Sequence, residues 1–245
     1  MNPLLALMQP MKRPLWRYYG GKFRAARHYP APAHRTIIEP FAGAAGYSCR
    51  YPHHDVVLVD ASEKVCAVWE YLIGASASEI LALPDLVRGE SVDDLDLPQD
   101  VRWFIGFWCN VGAASPRKTL SKWASKAGKG NWNQPSTRVV IAAQVARIKH
   151  WRVIHGTYAD APDTPATWFV DPPYRGAQGA HYPHGSGAID YADLGAWCRS
   201  REGQTIVCEG PNADWLPFEP FRTIKAAPGH KRDGKSIEMI WTNSN

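Results

Sequence analysis

Residues 167–174 read Thr167-Trp168-Phe169-Val170-Asp171-Pro172-Pro173-Tyr174. Trp168 to Val170 is a short apolar run of bulky and β-branched side chains, the pattern of a buried strand. It stops at an acid, two prolines and a tyrosine. The residue before a proline is held extended, and neither Pro172 nor Pro173 can donate to a ladder. The chain is therefore stiff where the strand ends, and no following turn saturates its carbonyls. In an open α/β sheet, that carboxyl end is where ligands bind. Asp171 and the Pro172 carbonyl, side by side, make two acceptors for the two hydrogens of an exocyclic amine. Tyr174 adds a flat face for a planar ring. The plain alternative is a strand followed by a proline turn, with Tyr174 packed on the surface.

Upstream, the first fifteen residues read as a loose arm, followed by Tyr18-Tyr19-Gly20-Gly21-Lys22. A glycine pair beside a lysine lets backbone approach a ligand while the ammonium reaches an anion. Thr36-Ile37-Ile38-Glu39-Pro40 then reads as a buried strand, and Phe41-Ala42-Gly43-Ala44-Ala45-Gly46 as a glycine-bearing turn into a helix. This is the plan of a nucleotide-binding crossover. It lacks both the GxGxxG of a dinucleotide site and the Gly-Lys-Ser/Thr of a phosphate loop, which disfavours a phosphate cradle and a dinucleotide-dependent oxidoreductase. Val56-Val57-Leu58-Val59-Asp60 is a second strand ending in an acid, at about the interval of roughly 20 residues at which a ribose diol is held. The pattern asks for an adenosine moiety without a pyrophosphate.

The chain of 245 residues, 45% hydrophobic, suits one α/β domain carrying a modest insertion. Ser62 caps an apolar-periodic helix to about Gly74, and a second helix is predicted from Ser78 to Val87. Residues 76–100 hold seven acids against the single base Arg88, whereas residues 101–152 hold ten bases and no acid. That segregation favours a polyanionic partner over a solvated face of mixed sign. The aromatic stretch from Val101 to Asn110 is spaced as a helix, with Trp103 and Trp108 in the core. From Gly112 to Asn133 a loop interleaves Arg117, Lys118, Lys122, Lys126 and Lys129 with Trp123 and Trp132. Cations for phosphates and rings for stacking are what a nucleic-acid surface needs, and Asn131, Asn133 and Gln134 could read base edges. For Trp123 and Trp132, stacking and core packing stand as equal readings.

Pro135 fits the first turn of a helix to about His150. Further strands are predicted at Arg152–Gly156, Thr205–Glu209, Phe221–Ala226 and Ser236–Thr242, which makes seven. Gly176–Gly187 reads as a flap, and a helix follows from Asp190 or Tyr191 to about Ser200. The apolar run Leu4–Met8 is too short for a signal-peptide core, and no run approaches a membrane span. The five cysteines show neither CxxC pairing nor zinc-ligand spacing, and they read as reduced thiols of a cytoplasmic protein.

Taken together, Tyr18–Lys22, Glu39–Gly46, the strand ending in Asp60, and Asp171–Tyr174 resemble the Dam-like N6-adenine DNA methyltransferases, of the group whose glycine motif precedes the catalytic motif. The resemblance spans nearly the whole chain, including Lys235–Asn243 as the closing strand. It implies a Rossmann-like seven-stranded methyltransferase fold with a helical, basic insertion between the second and third strands. The catalytic part would comprise residues 1–75 and 151–245, and residues 76–150 would serve target recognition. The resemblance also implies S-adenosylmethionine as donor, S-adenosylhomocysteine as product and no metal. Tyr18, Lys22, Glu39, Phe41, Gly43, Gly46, Asp60 and Tyr158 would then surround the donor, with Lys22 near its methionine end. Asp171, Pro172, Pro173 and Tyr174 would hold a flipped adenine. Double-stranded DNA is the implied partner, with the protein a monomer or, on DNA, a dimer. The Asp171 motif accommodates cytosine N4 or an adenine in RNA equally well, and a DNA-binding protein with a degenerate pocket is the nonenzymatic alternative.

Overall fold

The computed structural model describes residues 8–110, 112–122, 131–176, 179–225 and 235–243. Seven strands form one sheet: β1 Thr36–Glu39, β2 Asp55–Asp60, β3 Arg152–His155, β4 Ala166–Val170, β5 Gly203–Glu209, β6 Glu219–Lys225 and β7 Lys235–Thr242. Their order is β3-β2-β1-β4-β5-β7-β6, so β4 is central. Strands β1 to β5 pair in parallel, and β7 runs antiparallel to both β5 and β6. This mixed, mostly parallel sheet with helices is compatible with a Rossmann-like α/β fold.

The central strands read as apolar runs because both of their faces are covered. Ile37, Leu58, Phe169 and Ile206 face one core with Trp69 and Phe107. Their neighbours Ile38, Val57, Val59, Trp168, Val170 and Val207 face the other, with Leu194 and Cys198. Strand order reverses between β1 and β4: the chain moves outward from β1 through β2 to β3, then restarts at β4 and moves the other way. The crevice at such a reversal is the binding position of open α/β sheets. The residues that follow β1 and β4 are those of the two motifs.

Five α-helices occur among the described residues: α1 Glu63–Gly74, α2 Ala77–Ala82, α3 Gln99–Trp108, α4 Pro135–Val145 and α5 Tyr191–Ser200. The second begins and ends earlier than its periodicity predicts. Ser76 caps it by accepting from the Glu79 N–H, while the Glu79 carboxylate accepts from the Ser76 N–H. Pro84 then forces Leu83 out of the helical region at its far end. Four of the helices, α1 to α4, lie between β2 and β3. No described helix is long and apolar enough to cross a membrane. All five cysteines are buried and free.

Candidate active site

The turn after β1 is built by close backbone approach. Gly43 has φ +44°, and a Cβ placed on it would stand 2.8 Å from the Tyr18 ring. A Cβ on Gly46 would stand 2.5 Å from the Phe23 nitrogen and 2.8 Å from the Lys22 carbonyl carbon. Both glycines are therefore needed for the segment Tyr18–Phe23 to lie on the turn. Asp60, at the end of β2, ties the turn from the other side. Its two carboxylate oxygens accept from the Gly43 and Ser62 N–H groups, each at 2.9 Å. Trp69 of α1 donates to the Gly43 carbonyl at 2.7 Å.

One cleft results. Tyr18, Lys22, Glu39, Phe41, Gly43, Gly46, Asp60 and Tyr158 all line it, and so do Asp171 and Pro173. The Phe41 and Tyr158 rings, both in its lining, lie 5.8 Å apart. Glu39 is buried, with the Ser48 N–H donating to it at 2.7 Å, and burial pushes its carboxyl up to about 8. Pro172 is buried. The Pro173 carbonyl accepts from the Tyr191 hydroxyl. Among the described residues no group of His, Cys, Asp and Glu side chains could hold a metal ion.

The Lys22 ammonium sits 2.6 Å from Asp171 Oδ1 and 4.8 Å above the Tyr174 ring. Burial is the largest single influence and would lower this ammonium, but Asp171, Tyr174, Cys208 and Glu238 together outweigh it and hold the group well above its ordinary range. Glu238 of β7 completes the group, with Oε1 3.7 Å from Lys22 and 3.3 Å from the Tyr174 hydroxyl that donates to it. The sequence pattern hides Glu238 because the burial pattern of β7 is inverted. Ile237 is 46% exposed while the acid beside it is 1% exposed. Its signal in the sequence is a lone acid flanked by Ile237, Met239, Ile240 and Trp241. Tyr182, Pro183 and His184, inside the expected flap, also line the cleft. The Tyr182 hydroxyl donates to the Tyr19 carbonyl at 3.2 Å.

The residues expected on a nucleic-acid face do not form one set. Trp132 is fully buried, edge-on to Phe104, and its indole N–H donates to the Pro84 carbonyl at 2.9 Å. Core packing is therefore the reading that holds for this ring, which in this position cannot stack on a base. Asn133 is spent on the Leu86 backbone, donating to its carbonyl at 2.7 Å and accepting from its N–H at 3.0 Å. Asn131 is half-buried and accepts from Arg17 at 3.3 Å. Arg117, Lys118 and Lys122 are exposed. Trp123, Lys126 and Lys129 lie outside the described residues. The segregated charges also meet in space. Lys118 pairs with Asp93 and Arg138 with Asp85, each at 2.6 Å, while Arg102 donates to the Asp93 carbonyl. The basic stretch is thus less basic in the fold than in the sequence.

No protein-family model matches this chain, and no curated protein matches its sequence.

Proposed function

We propose that the protein transfers a methyl group from S-adenosylmethionine to the N6 amine of an adenine turned out of duplex DNA. One observation carries this reading. Asp171, at the end of the central strand, shares a single cleft at the strand-order reversal with the Gly43–Gly46 turn and Asp60.

The cleft residues fit such a donor. Asp60 is placed for a ribose diol, and Phe41 and Tyr158 offer apolar faces for a purine. Glu39, whose burial favours the protonated form, would ionise to meet the ammonium of the methionine part. Two carboxylates and no phosphate loop disfavour a pyrophosphate. When bound, S-adenosylmethionine supplies an electrophilic methyl group.

The chain's own part is to bind, orient and polarise. A base must leave the duplex, because its amine is unreachable while stacked and paired. Tyr174 offers a face for the extruded ring. Asp171 and the Pro172 carbonyl accept the two amine hydrogens, which turns the nitrogen lone pair outward and stabilises the positive charge that grows on it. By fixing the amine in the cleft that would hold the donor, these residues would supply on the order of 7 kcal/mol or more through positioning. The exposed cations Arg117, Lys118 and Lys122 would meet the DNA backbone, Lys118 in exchange for its present partner Asp93.

The test is transfer of labelled methyl from S-adenosylmethionine to unmethylated duplex DNA, followed by nucleoside analysis. Label in N6-methyladenosine is expected. Label in N4-methylcytosine would move the reading to the other base, and label only in RNA would move it to another polymer. Absence of label from both polymers would end it.

A further inference from the structure

Glu238 has no part in the function proposed above, yet it is the most enclosed charge of the site. Its Oε2 is buried and has no hydrogen-bond partner among the described residues. A buried carboxylate oxygen left unsatisfied is costly and calls for an explanation. Its neighbour Lys22 poses the complementary problem. At 2.6 Å from Asp171 and 4.8 Å above Tyr174, the ammonium occupies the place where a target amine would be held and its ring stacked. Lys22 has to leave before a base can bind. A buried ammonium does not leave without a second partner, because an unpaired charge in such a setting is strongly disfavoured. The second carboxylate within reach is Glu238, whose Oε1 lies 3.7 Å from the ammonium.

We propose that Glu238 is a positioning residue, the second seat of the Lys22 ammonium, which passes from Asp171 to Glu238 as the target amine arrives. This rests on the methyl-transfer reading for the identity of the amine. The move brings the ammonium onto Glu238 Oε1, so far held by the Tyr174 hydroxyl at 3.3 Å, and sets a cation beside the carboxylate whose Oε2 is unpartnered among the described residues. It uncovers the Tyr174 ring and frees Asp171 to accept the amine hydrogens as an anion, with no charge stranded at any stage. Without the negative charge at position 238, Asp171 would be the only anion left to Lys22 in this group, and lysine and substrate would compete for it.

The first test needs no substrate. In a crystal structure of Asp171→Asn, Lys22 Nζ is expected within about 3 Å of a Glu238 oxygen. An ammonium turned to solvent, or kept at its present distance from Glu238, would overturn the proposal. The second test is kinetic, at saturating S-adenosylmethionine. Glu238→Gln keeps the size and the acceptor for the Tyr174 hydroxyl, so donor affinity should hold. At the same time kcat/KM for DNA should fall about tenfold or more, as for loss of a hydrogen bond to a charged group. Adding Lys22→Met to Glu238→Gln should then raise kcat/KM again, because the competitor is gone. A purely structural Glu238 predicts the opposite sign, with the double variant worse than either single one, and that result would also overturn the proposal. Failure of the methyl-transfer reading shows separately, as a wild-type protein that labels no nucleic acid while the Asp171→Asn structure still reports on the seat.

Discussion

Gly46 and Lys22 touch backbone to backbone, the Cα of one leaving no room for a methyl group beside the carbonyl carbon of the other. The contact joins the turn after β1 to the segment that delivers the ammonium to Asp171. Gly46→Ala should therefore act at a distance. A methyl forced against rigid backbone costs about 1–3 kcal/mol, and the segment Tyr18–Lys22 should lift from the turn. The expected result is a lowered denaturation midpoint together with weakened S-adenosylmethionine binding by calorimetry. Unchanged donor affinity would show that the segment does not shape the donor pocket.

Asp171→Ala removes the acceptor that polarises the amine and should cost on the order of 10²- to 10³-fold in kcat, or more. Donor binding should survive, because Asp60, Glu39 and the glycine turn are untouched. Single-turnover assays with bound donor separate the two effects. Near-normal turnover in this variant would rule out the role given to Asp171.

Glu39 gives the stability a pH signature. Its carboxyl is pushed from its ordinary 4.5 up to about 8, so the native state holds a proton that the unfolded chain has released. The associated stability is complete below pH 4.5 and is lost as pH rises through about 8. Glu209, buried at the end of β5 and raised to about 7, contributes with the same sign. The Glu39 part is isolated by comparison with Glu39→Gln, which keeps an acceptor for the Ser48 N–H. The stability difference between wild type and this variant, by denaturant titration from pH 4 to 9, should shift in favour of the variant as pH rises. A difference independent of pH would mean that Glu39 is ionised throughout.

Trp132 and the exposed cations should separate stability from DNA affinity. Trp132→Ala opens the core beneath Phe104 and should cost about 3–5 kcal/mol of stability. Arg117→Ala and Lys122→Ala should leave the midpoint nearly unchanged. If these cations meet phosphates, each should reduce the salt slope of DNA binding by about 1. A Trp132→Ala protein of normal stability and impaired DNA binding would reverse the assignment of that ring to the core.

Much of this architecture was legible along the chain because it is local. Strands of four to seven residues built on short apolar runs, such as β1, β2, β4 and β5, are legible in the sequence. Their terminal residues Glu39, Asp60 and Asp171 converge because parallel strands present all their carboxyl ends along one edge. The helix starts after Ser62 and at Pro135 are legible in the sequence, although the Ser62 side chain makes no capping hydrogen bond, whereas Ser78 misleads because the Ser76 capping box and Pro84 outweigh the periodicity. What only the tertiary structure decided is which side chains meet across long separations. The sequence places Lys22 beside glycines, but only the packing sets it on Asp171, 149 residues away, and brings Glu238 to the same point. Likewise an acidic and a basic stretch look like opposed surfaces when read in line, and become partners once Asp93 faces Lys118. Burial is the common physical reason. A ring such as Trp132 or an acid such as Glu238 carries the same chemistry inside or outside, and only the surrounding fold determines whether water reaches it.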